Sequence, residues 1–248
     1  MIVVEQHDRV RRVVLNRPQK LNAMDPPMFA AFFEAIDAAV ADPDTHAIIV
    51  AGAGRAFSSG ADVSPDPAGP SQAARKSIGH APADMAVTRA RMTKWLDLWS
   101  ISKPLIAQVQ GYCIGAANEI VGCCDLVICG ESARFGMPEV REFALPPALG
   151  FWPLRIGPAR TKELLWTGRL VGGREAVELG LAQRVVPDED LADETLQLAS
   201  TIAEMPTDRL AVVKQAVNSW AETFGVRDAV TRGADYHALY HQTTTFGR

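Results

Sequence analysis

The sequence predicts an α/β protein: a core of interleaved strands and helices followed by a helical C-terminal region. Three observations carry this. Before Pro187, short apolar runs bounded by Gly and Pro alternate with segments whose apolar residues recur at helical spacing. After Pro187 the pattern is helical throughout. The chain has 248 residues, 48% hydrophobic and 22% charged, which is ordinary for a globular protein and permits a sizeable core. The expected division is 1–187 for the core, with the candidate site in it, and 188–248 for the helical region.

The elements follow in order. The opening reads as two short strands around a turn at "QHD", the second over 11–18 and ended by Pro18. Residues 25–43 read as a helix: Asp25 can cap it, and the prolines behind it suit a first turn. "HAIIVAGAG" (46–54) is a buried strand entering a glycine turn. The Gly, Ser and Pro-rich stretch after it is a loop, and 73–79 has no strong pattern. A helix is predicted over 83–103, with a stripe of Met85, Trp95, Leu96 and Trp99 suited to core or to a pocket wall. Then come a strand (103–111), a short helix (115–124), a strand (125–130) and a strand with a turn (133–140). Residues 144–157 look irregular. Helices are expected over 158–168 and 173–181, and a short strand over 182–187. Three helices follow: 188–205, 207–224 and one from about Arg227.

Charge and cysteine usage exclude several classes. The net charge is −4, and the small "RVRR" cluster is no nucleic-acid footprint. No segment is long and apolar enough to span a bilayer, and the opening lacks the series of regions that marks a secretory leader. The expectation is a cytoplasmic protein, with neither membrane nor nucleic acid as partner. Cys113, Cys123, Cys124 and Cys129 have no C-x-x-C spacing and no nearby His, so they read as buried free thiols.

Three stretches can carry chemistry. In "YCIGAANEIVGCCDLVICG" (112–130), almost entirely apolar or small, Glu119 is the one glutamate. A buried carboxylate must be paired, neutral or employed. Ala116 and Glu119 are three apart, so they share a helix face, with a rise of roughly 4.5 Å between them. An N–H of the first turn can hold an oxyanion while the carboxylate handles a proton or a water. Pairing with an arginine is the other reading of position 119. In "GAGRAFSSGAD" (52–62) there is no dinucleotide fingerprint, P-loop or nucleophile elbow. There, Gly60 lets the backbone approach a ligand, and Ala61 supplies a second N–H. In "FGMPEV", Glu139 follows a strand end, while Glu142 reads as exposed or paired with Arg141.

Taken together and in this order, these stretches resemble the enoyl-CoA hydratase/isomerase family, also called the crotonase superfamily. "VLNRPQKLNAMD", "GAGRAFSSGADV", "KPLIAQVQGYCIGAANEIVGCCDLVICGESARFGMPEV" and "LLWTGRLVGGREAVELGLAQRVVP" carry the likeness, over about 10–190. The resemblance implies a crotonase-like spiral of β-β-α units. It also implies C-terminal helices that build a homotrimer or a dimer of trimers. The implied ligand is a coenzyme A thioester, an acyl-CoA, with no separate cofactor and no metal. The N–H groups of Ala61 and Ala116 would grip the thioester carbonyl. Asp62, Val63 and Ser64 would contact the ligand, and the turn "KLNA", with Lys20 and Ala23, would lie near the adenine. Glu119 and Glu139 would be the two glutamates that add water to a 2-enoyl thioester, Glu119 acting on the water and Glu139 on the C2 proton. Isomerases of the family generally manage with one glutamate, so retention of both favours hydration; a double-bond isomerase, a thioester hydrolase, a C–C lyase and an inactive acyl-CoA-binding relative are the alternatives on the same scaffold. The sequence departs from the family pattern at "GAA", where glycines are usual, and at "REFALPPALG", whose Phe143, Pro146 and Pro147 would stiffen one wall.

Overall fold

The computed structural model describes residues 1–64, 81–142 and 144–243. The expected loop beyond Ser64, the patternless 73–79 and Phe143 lie outside these.

Six strands form the main sheet: β1 (Ile2–His7), β2 (Val10–Leu15), β3 (Ala47–Gly52), β4 (Leu105–Val109), β6 (Leu126–Gly130) and β9 (Arg184–Val186). Their spatial order is β1-β2-β3-β4-β6-β9. β1 and β2 are an antiparallel hairpin, and every later pairing is parallel. All six residues of β3 are buried, as expected of a parallel strand covered on both faces. Alternation then assigns its side chains. Ile49, with Val10, Ile106 and Ile128, packs under the C-terminal helix α6 (Leu191–Ala203) through Leu191, Ala199 and Ala203. Ile48 and Val50 face the larger core, which holds Met28, Phe32 and Ile36 of α1 (Pro26–Ala41).

A second sheet lies beside the first, in the order β5 (Tyr112–Ile114), β7 (Arg134–Gly136), β8 (Val171–Gly172). A bridge between Ser58 and Cys113 extends it. The chain therefore repeats one step: a strand in the large sheet, a short extended piece in the small one, then a helix. β3, Ser58 and α2 (Ala81–Trp99) make one turn of this spiral, and β4, β5 and α3 (Ala116–Cys123) the next. β6 and β7, with α4 (Trp152–Thr167), make a third.

The helix expected from Pro158 starts earlier, at Trp152, but Gly157 breaks it with a φ of +79°. The sequence reading caught the second half because Gly157 and Pro158 end the first. After β8 come α5 (Gly173–Leu179), β9 and α6, then α7 (Thr207–Thr223) and α8 (Val226–Thr243). α8 packs along α2. The four cysteines are free and buried. Among the described residues, no helix is long and apolar enough to cross a membrane.

Candidate active site

A cleft of about 490 Å³ opens where α1, α2, the start of α3, the 138–147 segment and α8 meet. Ala61, Ala116, Glu119 and Glu139, which the sequence singles out, all line it.

The two backbone donors are placed by local geometry. Met24 and Ala61 form a parallel bridge: the Met24 N–H donates to Gly60 O (2.8 Å) and the Asp62 N–H donates to Met24 O (2.9 Å). Residues alternate in direction along such a ladder, so the Ala61 N–H points away from Met24. Gly60 sits at φ +90°, and a Cβ there would meet Ile114 O at 2.5 Å and Ala116 N at 3.2 Å. Only glycine brings the two donor segments this close. Ala116 opens α3, so its N–H has no acceptor within the helix. Among the described residues, neither N–H makes a hydrogen bond.

Glu119 is 2% exposed. Its Oε1 accepts the backbone N–H of Ala148 at 2.7 Å. Burial pushes its pKa up to about 7, against the pull of the Ala148 N–H, the nearby Arg91 and the Trp95 indole. The indole N–H favours the ionised form from nearby but makes no hydrogen bond of good geometry. Glu139 lies on the short 3-10 turn Pro138–Arg141 behind β7. Burial raises it too, to about 7; its own backbone N–H opposes this, while the charges of Glu119 and Glu142 push it further. Its Oε2 is buried without a hydrogen-bond partner. A Cβ at Gly115 would stand 2.4 Å from Glu139 Oε1, so the glycine before α3 makes room for that carboxyl.

The two environments differ in kind. Glu119 has a donor and a nearby cation, which favour its carboxylate. Glu139 has a bare oxygen and two acidic neighbours, which favour its neutral form. Two carboxyls near neutrality with opposite leanings have the chemistry that a base and an acid in one cleft require.

The remaining expected ligand residues divide. Asp62 and Val63 line the cleft; Ser64, Lys20 and Ala23 do not. Lys20 is exposed on a 3-10 turn, and Ala23 is buried, its carbonyl accepting from Arg17. The Asp62 carboxylate is held at about 2 by hydrogen bonds from the Ser64 side chain and N–H and by Arg17, whose Nη1 is 2.6 Å away. That makes Asp62 a brace between the 20–23 turn and the 61–64 loop. Glu142 is exposed, lines the cleft and makes no ion pair with Arg141. Trp95 serves both expected roles, being 1% exposed yet on the cleft wall, packed against Phe29 and Phe33. Pro146 and Pro147 are indeed wall residues.

Ala148 bore no mark in the sequence, because its contact with Glu119 spans 29 positions. His237 and His241, one turn apart on α8 with rings 4.2 Å apart, also line the cleft. Among the described residues, no group of three His, Cys, Asp or Glu is arranged to hold a metal ion.

A family model described as enoyl-CoA hydratase/isomerase matches residues 5–245. A probable enoyl-CoA hydratase of Mycobacterium bovis is 35% identical over 219 residues, covering 88% of this chain and 80% of that one. Among solved structures, an enoyl-CoA hydratase/isomerase from Xanthobacter autotrophicus Py2 superposes with a TM-score of 0.89 at 33% identity, covering 99% of this chain and 88% of the other. A probable enoyl-CoA hydratase from Mycobacterium thermoresistibile superposes with a TM-score of 0.87 at 31% identity, covering 97% and 96%.

Proposed function

The chain belongs to the enoyl-CoA hydratase/isomerase family, and from that premise we propose that it adds water across the 2,3 double bond of a 2-enoyl-CoA thioester. The observation that carries this is the pair of carboxyls, the buried Glu119 and the part-buried Glu139, both raised to about 7 and both in one cleft with the N–H groups of Ala61 and Ala116.

In the proposed reaction the thioester carbonyl lies between the two N–H groups. Glu119, as carboxylate, takes a proton from water as its oxygen attacks C3. Electrons of the double bond move toward the carbonyl, and negative charge develops on the thioester oxygen. Two fixed donors in a largely apolar cleft stabilise that charge, each worth about 3 kcal/mol in comparable sites. Glu139, as the acid, delivers a proton to C2. Glu119 then holds the proton that Glu139 has lost, and exchange through water restores the pair. Coenzyme A is part of the substrate, and the scheme draws on no further cofactor. The same reading includes the rest of what the family resemblance implies: ligand contacts from Asp62, Val63 and Ser64, an adenine end near Lys20 and Ala23, a homotrimer or pair of trimers, and a cytoplasmic setting in acyl-CoA metabolism.

The test is hydration of crotonyl-CoA, followed by loss of the enoyl-thioester absorbance. Wild type should turn over. Glu119→Gln and Glu139→Gln should each lose about 10²–10⁴-fold in kcat while still binding acyl-CoA. Tight binding with no turnover by wild type on this or longer enoyl thioesters would sink the hydratase reading in favour of isomerase, hydrolase or lyase chemistry, or a binding role.

A further inference from the structure

Arg91, Lys94 and Trp95 are spaced i, i+3, i+4 on α2, so they form one face, and all three line the cleft. Arg89, one step earlier, is paired with Asp235 at 2.7 Å. Arg91 is half-buried, yet among the described residues it has no ion pair and no hydrogen bond. Lys94 has no ion pair there either, and its ammonium lies 5.8 Å from the Phe33 ring centroid. A half-buried guanidinium has five donors to satisfy and loses solvation without gaining a partner. Such a group calls for an anion from outside the chain.

The cleft's own acids do not supply that anion. Asp62 is committed to Arg17. Glu119 accepts from Ala148 and stands more than salt-bridge distance from Arg91. Glu142 makes no ion pair with either cation. The Arg91 guanidinium is close enough to Glu119 to favour its carboxylate. On the same helix face, Trp95 packs against Phe29 and Phe33, an apolar stretch of the cleft wall that suits methylene groups.

We propose that Arg91, supported by Lys94, recognises a carboxylate at the far end of the substrate's acyl chain, so that the preferred ligands are thioesters of dicarboxylic rather than plain aliphatic acids. This rests on the acyl-CoA reading of the cleft. The aromatic stretch holds the chain, the guanidinium binds the terminal carboxylate, and the reacting carbons stay beside Glu119 and Glu139.

The test uses calorimetric binding of three ligands: a saturated six-carbon acyl-CoA, the same chain ending in a carboxylate, and free coenzyme A. Wild type should bind the carboxylated chain about tenfold more tightly than the plain one, the scale of one charge-assisted hydrogen-bonded pair. Arg91→Met should bring that ratio to about one, Arg91→Lys should restore part of it, and Lys94→Met should lower it less. A wild-type ratio of one overturns the proposal. So does an Arg91→Met variant that weakens all three ligands by the same factor, which would assign the cation to a coenzyme phosphate. Because the acyl ligands are saturated, the ratio is read without turnover. Failure to hydrate enoyl-CoA counts against the proposed reaction, and failure of the ratio counts against this assignment.

Discussion

Glu119 shows how a site is held at a cost to the fold. Its carboxyl ionises near 4.5 when unfolded and about 7 when folded, because burial outweighs its one backbone donor. Between those pH values the native state keeps a proton that the unfolded chain has released. Stability is therefore full below the window and falls as pH rises through it, by about 3 kcal/mol in all. Glu119→Gln cannot ionise and its amide oxygen can still accept from Ala148. Its melting temperature should match wild type at pH 4 and exceed it at pH 8. Equal melting at both pH values would mean that the carboxyl is not desolvated as its 2% exposure implies. The same variant loses activity, which is the expected trade between a strained site and a stable one.

At the scale of elements, the cleft depends on contacts far apart in sequence. α8 meets the 145–148 segment so closely that a Cβ at Gly233 would stand 1.8 Å from Pro147 O. Tyr240 Oη donates to Val140 O, and His237 Nδ1 contacts Leu145 O, so the helix also grips the segment carrying Glu139. Through Pro147 it sets the Ala148 N–H that Glu119 accepts. Gly233→Ala should push this segment away, at about 1–3 kcal/mol of overpacking. With the donor withdrawn, the Glu119 pKa rises further. The acid limb of the pH–rate profile should then move upward by about one unit, with about fivefold lower activity at pH 7. A protein merely less stable, with an unmoved profile, would argue against this coupling. These contacts also mark the limit of what the sequence discloses. Glu119, Glu139, Gly60 and the two N–H donors are legible, because each depends on neighbours within a few residues. Ala148, Arg17 and the inward face of α8 are not, because folding alone brings them to the cleft. β8 went unread because two residues carry no period.

For the whole molecule, the exposed apolar surface is unevenly placed. Val213, Val217, Trp220 and Phe224 follow helical spacing along α7 and its end, and they are 56%, 65%, 72% and 78% exposed. The neighbouring face of α7 is anchored: Lys214 Nζ is 2.8 Å from Asp125 Oδ2, which also accepts the Leu105 N–H. The helix is thus fixed to the core with its apolar stripe outward. A stripe of this kind on a well-anchored helix is more consistent with a subunit interface than with a monomer's surface, in keeping with the proposed trimer. Trp220→Glu together with Val213→Glu should give a folded monomer by light scattering, where wild type should give a mass near three or six chains. The stripe does not line the cleft, but α8 follows α7 directly and does. Dissociation should therefore also loosen α8 and lower acyl-CoA affinity. A double variant with the mass of wild type would remove α7 from the interface; a monomer with unchanged affinity would show that α8 is held by its own chain alone.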